Sequence, residues 1–187
     1  MKPMNDSDKP WEVISSEYLH RAPWLTVRKD HLVLPNGNHI LSYYILEYPD
    51  WVNTIAVTSD GQFVFIRQYR HGLQQTSYEL CAGVCEKEDA SPLASAQREL
   101  LEETGYGNGS WQEYMQISPN PSTHTNITYC FLATGVEKIS EQHLEDTESL
   151  SVHLLTLAEV KELLQKGEIK QALMAAPLWK YIAEKGL

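Results

Sequence analysis

Apolar and polar residues alternate in short runs along most of this chain, the period of half-buried strands. Residues 11–18 and 24–34 read as strands, Pro35-Asn36-Gly37-Asn38 as a turn, and residues 39–48 as the returning strand of an antiparallel N-terminal sheet. Residues 52–58 form the next strand, Ser59-Asp60-Gly61 a tight turn, and residues 63–69 its partner. A short strand over 78–81 runs into Ala82-Gly83, and residues 112–117, 127–134 and 150–155 complete the set. The period becomes helical at residues 91–104, after the capping-box sequence Thr156-Leu157-Ala158-Glu159, and at residues 171–184. Residues 135–148 form an acidic connection. Strands mixed with few helices predict an α+β chain or an α/β/α layering. The expected organisation is a disordered leader over 1–10, a β-sheet extension over 11–50, and the main domain over 51–187.

Composition narrows the class. A chain of 187 residues suits one domain with a small extension, and 42% hydrophobic residues can build a core without a disulfide or metal. The net charge of −10, from 25 acidic against 15 basic residues, disfavours nucleic acid as a partner. It also means that a site for an anionic substrate needs a cation or local arginines. The first residues lack the apolar centre of a secretory signal, and no run approaches the ~18 apolar residues of a membrane span. Cys81, Cys85 and Cys130 read as reduced thiols of a cytoplasmic protein, with no second pair for a zinc site.

The helix over 91–104 carries the chemistry. Ser91 suits the N-cap, Pro92 the first helical position, and Gly105 the residue past the end. Leu93, Ala96, Leu100 and Leu101 form its apolar stripe, which leaves Glu99, Glu102 and Glu103 on roughly the opposite face. Carboxylates three and four apart repel by ~0.2–0.5 kcal/mol per pair, and acids in the last turn oppose the helix dipole. A hard divalent cation such as Mg²⁺ would reverse both penalties. A solvated acidic face accounts for the same spacing, so spacing alone leaves both readings open.

The stretch from Gly83 through Asp89 and Ser91 to Arg98-Glu99-Leu100-Leu101-Glu102-Glu103-Thr104-Gly105-Tyr106 resembles the Nudix box. Its second half matches the family pattern without exception. The first half has Asp89 where the family has Glu, and one extra residue before Arg98, best placed near Ala90 or Ser91. The lead-in Phe65-Ile66-Arg67-Gln68-Tyr69-Arg70 and Tyr78-Glu79-Leu80-Cys81-Ala82-Gly83 resembles ADP-ribose pyrophosphatases.

That resemblance implies a Nudix α/β/α sandwich with a mixed sheet. It also implies Mg²⁺ (Mn²⁺ is the alternative) held by Glu99, Glu103 and the Ala82 carbonyl, with Glu102 supporting and Arg98 orienting the acids. Arg70, with Arg67 as rival, would contact the diphosphate, and Glu79 and Pro121 (or Pro119) would lie near substrate. On an alternating strand Arg67 and Arg70 face opposite sides, so at most one reaches the site. Glu148, or Asp146, in the loop before the last strand is the implied base. The implied substrate is ADP-ribose or a related nucleotide sugar, with Trp24, Trp51 or Tyr69 as stacking candidates and a homodimer as the assembly. His124 is a further loop candidate. The competing readings are hydrolysis of another nucleoside diphosphate derivative and a non-catalytic ligand sensor.

Overall fold

The computed structural model of the chain describes residues 3–186. Its contacts group into two units. One holds the chain through Tyr48 together with Asn120–Asn126; the other holds Pro49–Pro119 and the chain from Ile127.

The first unit is an antiparallel meander of β1 (Glu12–Ala22), β2 (Leu25–Val33) and β3 (His39–Glu47). Arg28 pins its centre by bonding the buried Asp30 at 2.9 and 3.0 Å and by pairing with Glu47 on the neighbouring strand. Burial opposes ionisation of Asp30, but hydrogen bonds from Arg28 and Ser16 hold its carboxyl below the usual range. The first hairpin differs from the expected one. β1 runs on to Ala22, which pairs with Leu25, so Trp24 sits in a two-residue turn rather than in a strand. Pro23 fixes its own φ, and Trp24 takes φ +64° to close the turn. Of the leader expected to be disordered, Met1 and Lys2 lie outside the described residues, and Asp6–Asp8 makes one 3-10 turn.

The second unit is layered about a mixed sheet. Its central strands are β4 (Trp51–Thr58), β5 (Phe63–Arg70), β6 (Gln75–Glu79) and β7 (Cys81–Val84). The outer strands are β8 (Tyr106–Gly107), β9 (Ser110–Ile117), β10 (Thr128–Lys138) and β11 (Leu150–Leu155). The principal order is β11-β5-β4-β10-β8, and β10 runs parallel to β4. Helix α1 (Pro92–Thr104) packs on one face through Ala96 and Leu100, against Val52, Ala56 and Val64. Helices α2 (Leu157–Gln165) and α3 (Ala172–Glu184) cover the other, against Ile55, Val57, Phe63 and Phe65. Alternate residues of β4 and β5 therefore feed opposite cores, which explains why these strands read as nearly continuous apolar runs.

Two departures shape the site. The expected strand over 78–81 is two strands. β4 and β5 pair only at Ala56–Val64 and Val57–Phe63, then splay; β6 continues the ladder on β5, and after Leu80 β7 continues it on β4. β10 also outlasts its expected end at residue 134, because Gly135 at φ +70° makes a bulge and pairing resumes at Val136.

Gly105 ends α1 in the left-handed conformation at φ +75°, and a Cβ there would overlap the Ser140 carbonyl. Gly167 has φ +67° with open space around it. Gly167→Ala should therefore cost only the left-handed penalty of ~1–2 kcal/mol. Gly105→Ala should cost clearly more in urea unfolding; equal costs would show that the Ser140 contact gives way freely.

Candidate functional site

Ser91 caps α1 by accepting the Ala94 amide at 3.2 Å, with Pro92 in the first turn. The helix is not turned as its polarity suggests. Glu103 is only 4% exposed, whereas Leu93 is solvent-facing. Ala96, Leu100 and Glu103 follow one another at steps of four and three, so all three lie on the seam toward the sheet. The expected placement of Glu103 on an outer acidic face is thus corrected: it stands in the interface beneath β7.

Arg98 organises the rest. Its guanidinium takes both oxygens of Asp89, at 3.3 and 3.0 Å, and donates to the Val84 carbonyl at 3.1 Å. It also reaches Glu99 and Glu102, each at 3.0 Å. The hydrogen bonds from Arg98 hold the Asp89 carboxyl down at about 2. Asp89 in turn accepts the Glu86 amide at 3.2 Å. The shorter acid and the extra loop residue therefore still deliver a carboxylate to Arg98.

Glu103 accepts the Ala82 amide at 3.1 Å. Burial pushes its carboxyl up to about 8, aided by the charges of Glu99 and Glu148. Burial raises Glu99 as well, against the pull of Arg98 and with the push of Glu102 and Glu148. Glu148 is the exposed loop carboxylate whose charge is felt at both sites, and it closes a turn by accepting the Glu145 amide at 3.0 Å. Asp146 is exposed in the same turn. Gly83 fits against Glu99 so closely that a Cβ would overlap the carboxylate.

Among the described residues, no three His, Cys, Asp or Glu side chains stand ready as a metal cluster. Arg98 takes one oxygen each of Glu99 and Glu102, and the Ala82 amide takes one of Glu103. The donor set nevertheless suits a hard divalent cation: it is all oxygen, and Glu103 is a buried acid beside two other carboxylate charges with no cationic hydrogen-bond partner of its own.

A cavity of about 510 Å³ opens beside Ala82 and Gly83, with Arg70, Glu79 and Lys170 on its walls. Arg70 binds Glu79 through Nε and Nη2, at 2.6 Å for the shortest contact, which raises the Arg70 pKa. Arg67 points elsewhere, as alternation requires. It lies over the Tyr78 ring and lines a separate hollow with Glu159, Glu162 and Lys166. Trp51 lines the cavity, Tyr69 is exposed beside His71, and Trp24 is exposed in the first unit. Pro121 is exposed and His124 half-buried in Asn120–Asn126, also part of the first unit. Lys170, in the link over residues 167–170 between the last two helices, also lines the cavity, as do two buried polar residues outside the sequence expectations, Asn53 and Thr128. The signal was available for the latter two, as polar residues inside apolar strands.

A mixed sheet between helices, with an arginine-tied loop and an acidic helix beside a cavity, defines the Nudix class of fold. The NUDIX domain profile matches residues 48–176, and the chain belongs to that family. A second profile, the nucleoside diphosphate sugar hydrolase N-terminal domain, matches residues 11–46. The chain is 28% identical over 172 residues to an ADP-ribose pyrophosphatase of Mycobacterium tuberculosis, covering 91% of this chain and 82% of that protein. It is 28% identical over 162 residues to an ADP-ribose pyrophosphatase of Bacillus subtilis, covering 86% of each. A solved structure described as an ADP compounds hydrolase superposes with a TM-score of 0.82 at 21% identity, covering 95% of this chain and 97% of that one.

Glu103 gives a pH test. Its folded value of about 8 lies above the ordinary 4.5, so the cation-free folded chain holds a proton that the unfolded chain loses first. The stabilisation is complete below the lower value and is lost as pH rises through the upper one. In EDTA the melting temperature should fall across that window, and Glu103→Gln should flatten the fall; an unchanged slope in the variant would refute the assignment.

Proposed function

We propose that this protein hydrolyses the diphosphate linkage of ADP-ribose or a related nucleoside diphosphate sugar, yielding AMP and ribose 5-phosphate from ADP-ribose. Mg²⁺ is the proposed cofactor, Mn²⁺ its alternative, and the cytoplasm the proposed location. Among the described residues, no helix is long and apolar enough to cross a membrane. The observation that carries the reading is the buried Glu103, set with Glu99 against Ala82 and Gly83 at the edge of a cavity that holds Arg70. Family membership and the names of the two pyrophosphatase relatives support the choice of substrate.

In this reading Glu99, Glu103 and the Ala82 carbonyl hold the cation, with Glu102 beside them. Ala82 spends its amide on Glu103 rather than on the β4 ladder, which leaves its carbonyl on the same edge. A divalent cation held there would supply positive charge against the diphosphate oxygens and would lower the pKa of the attacking water. Arg98 keeps Glu99 and Glu102 aimed, and Gly83 leaves Glu99 the room it occupies. Arg70, held in place by Glu79, offers its remaining N–H groups to a phosphate. Glu148 takes the proton as the water oxygen bonds to phosphorus and the bridging P–O bond breaks, the leaving monophosphate keeping the electron pair. Pro121 stays in the proposal as a substrate contact, and Trp24, Trp51 and Tyr69 as the stacking candidates. Exposed apolar residues on the meander, among them Val13, Ile14, Leu19 and Leu41, support pairing with a second copy as a homodimer.

Purified protein should release AMP from ADP-ribose only with a divalent cation. Glu148→Gln should lower kcat by roughly 10²–10⁴-fold, and Glu103→Gln should remove the cation dependence together with the activity. Binding of nucleotide sugars without cleavage of any would replace the hydrolase with a sensor. Gly83→Ala tests positioning: displacing Glu99 should lower kcat by about 10²-fold with a nearly unchanged melting temperature, and wild-type kcat would contradict the role given to the close fit.

A further inference from the structure

The cavity wall carries uncharged polar residues besides its charged ones. Asn53 and Thr128 both line it, each only 1% exposed. They stand on adjacent parallel strands, where Trp51 pairs with Thr128 and Asn53 with Cys130. Alternation puts Trp51 and Asn53 on one face of β4, and their partners Thr128 and Cys130 on the same face of β10. That face is the one α3 covers, since Asn53 Nδ2 donates to the Leu173 carbonyl at 2.8 Å.

This bond fixes the amide. Nδ2 donates to Leu173 and faces the Cys130 thiol, so the Asn53 Oδ1 is left as an acceptor, and it has no hydrogen-bond partner among the described residues. Thr128 Oγ1 has none either. Two buried, unpaired oxygens on neighbouring strands each carry a desolvation cost in the free protein. Both return that cost if a ligand supplies hydrogen-bonding groups. Burial so close to a cavity wall separates them from ordinary core polar groups.

The chemistry of the pair selects the ligand. Oδ1 requires a donor, and a threonine hydroxyl both donates and accepts. Neighbouring hydroxyls of a sugar satisfy both at once. The surrounding wall of Leu73, Tyr78, Leu173 and Met174 is apolar, as carbon faces of a pyranose or furanose require. Neither Asn53 nor Thr128 is charged, so they add nothing to the recognition of phosphate itself. We infer that Asn53 and Thr128 form a sugar-specificity subsite, accepting and donating hydrogen bonds to hydroxyls on the non-nucleoside half of a nucleoside diphosphate sugar. This rests on the hydrolase reading and deepens it. Lys170, whose Nζ donates to the Gly167 carbonyl at 3.2 Å, lines the same cavity.

Thr128→Val is the decisive variant, because it keeps the shape and removes only the hydroxyl. Since that hydroxyl is unpaired, the melting temperature should stay the same or rise. With ADP-ribose, ADP-glucose and a series differing only in the base, the variant should raise KM for the preferred sugar by about 5- to 20-fold. kcat should change little and discrimination between sugars should shrink, while the ranking of bases stays as in wild type. Asn53→Asp, which keeps the size and an acceptor oxygen, should shift sugar preference in the same assay. Unchanged sugar ratios in Thr128→Val, or a change in base ranking alone, would overturn the subsite while leaving the hydrolase intact. A lowered melting temperature with uniformly reduced rates would mark Thr128 as a structural residue and overturn it equally. Wild-type protein that cleaves none of these compounds with Mg²⁺ would overturn the reading on which the subsite rests, and the subsite with it.

Discussion

One guanidinium holds the acidic helix together. Arg98 bonds the Val84 carbonyl, both oxygens of Asp89, and one oxygen each of Glu99 and Glu102. Without that hub, the like charges on α1 would repel through the last turn, where the helix dipole already opposes them. The same contacts draw the loop between β7 and α1 onto the helix. The hub therefore sets where Ala82 and Gly83 lie relative to the carboxylates. A planar fork is needed, since a lysine ammonium could not satisfy these acceptors in their fixed directions.

The acids are not equivalent under this arrangement. Glu102 stays half in solvent, Glu99 is pressed against Gly83, and Glu103 is buried in the seam between helix and sheet. A buried carboxylate is costly unless it is compensated. In the cation-free chain the compensation is a proton, which is why its carboxyl is raised to about 8. In the proposed function, the state of this carboxyl near neutral pH therefore depends on whether a proton or a cation occupies it. The splayed β4–β5 pair gives this site its access: β6 and β7 fill the gap, carry Glu79 and Ala82 to it, and leave the cavity beside them.

Much of this was legible in the residues. The caps of α1, the capping box of α2, the second half of the box and the opposite facing of Arg67 and Arg70 all follow from local rules that tertiary packing did not override. For Glu103, Asn53 and Thr128 the departure has one cause: polarity is a poor guide to exposure. Glu103 was placed outward because it is charged, yet its spacing from Leu100 puts it inward. Asn53 and Thr128 passed as ordinary strand residues although each interrupts an apolar run. Trp24, expected to open the second strand, sits in the turn instead, where Pro23 before it fixes φ. The switch of the chain from β5 to β4 at Leu80 depends on long-range pairing, which no local pattern carries. The roles of Arg98 and Asp89, by contrast, needed only their resemblance to the box, and the loop insertion did not disturb them.

In the proposed mechanism Glu103 exchanges a proton for a divalent cation. Calorimetric titration of the full chain with Mg²⁺ at pH 7, in buffers of different ionisation enthalpy, counts the protons released on binding. With its carboxyl at about 8, Glu103 is mostly protonated there, so saturable binding should release close to one proton per chain, fading above pH 9 and absent in Glu103→Gln. Saturable binding with no proton release, or no binding at all, would contradict the account.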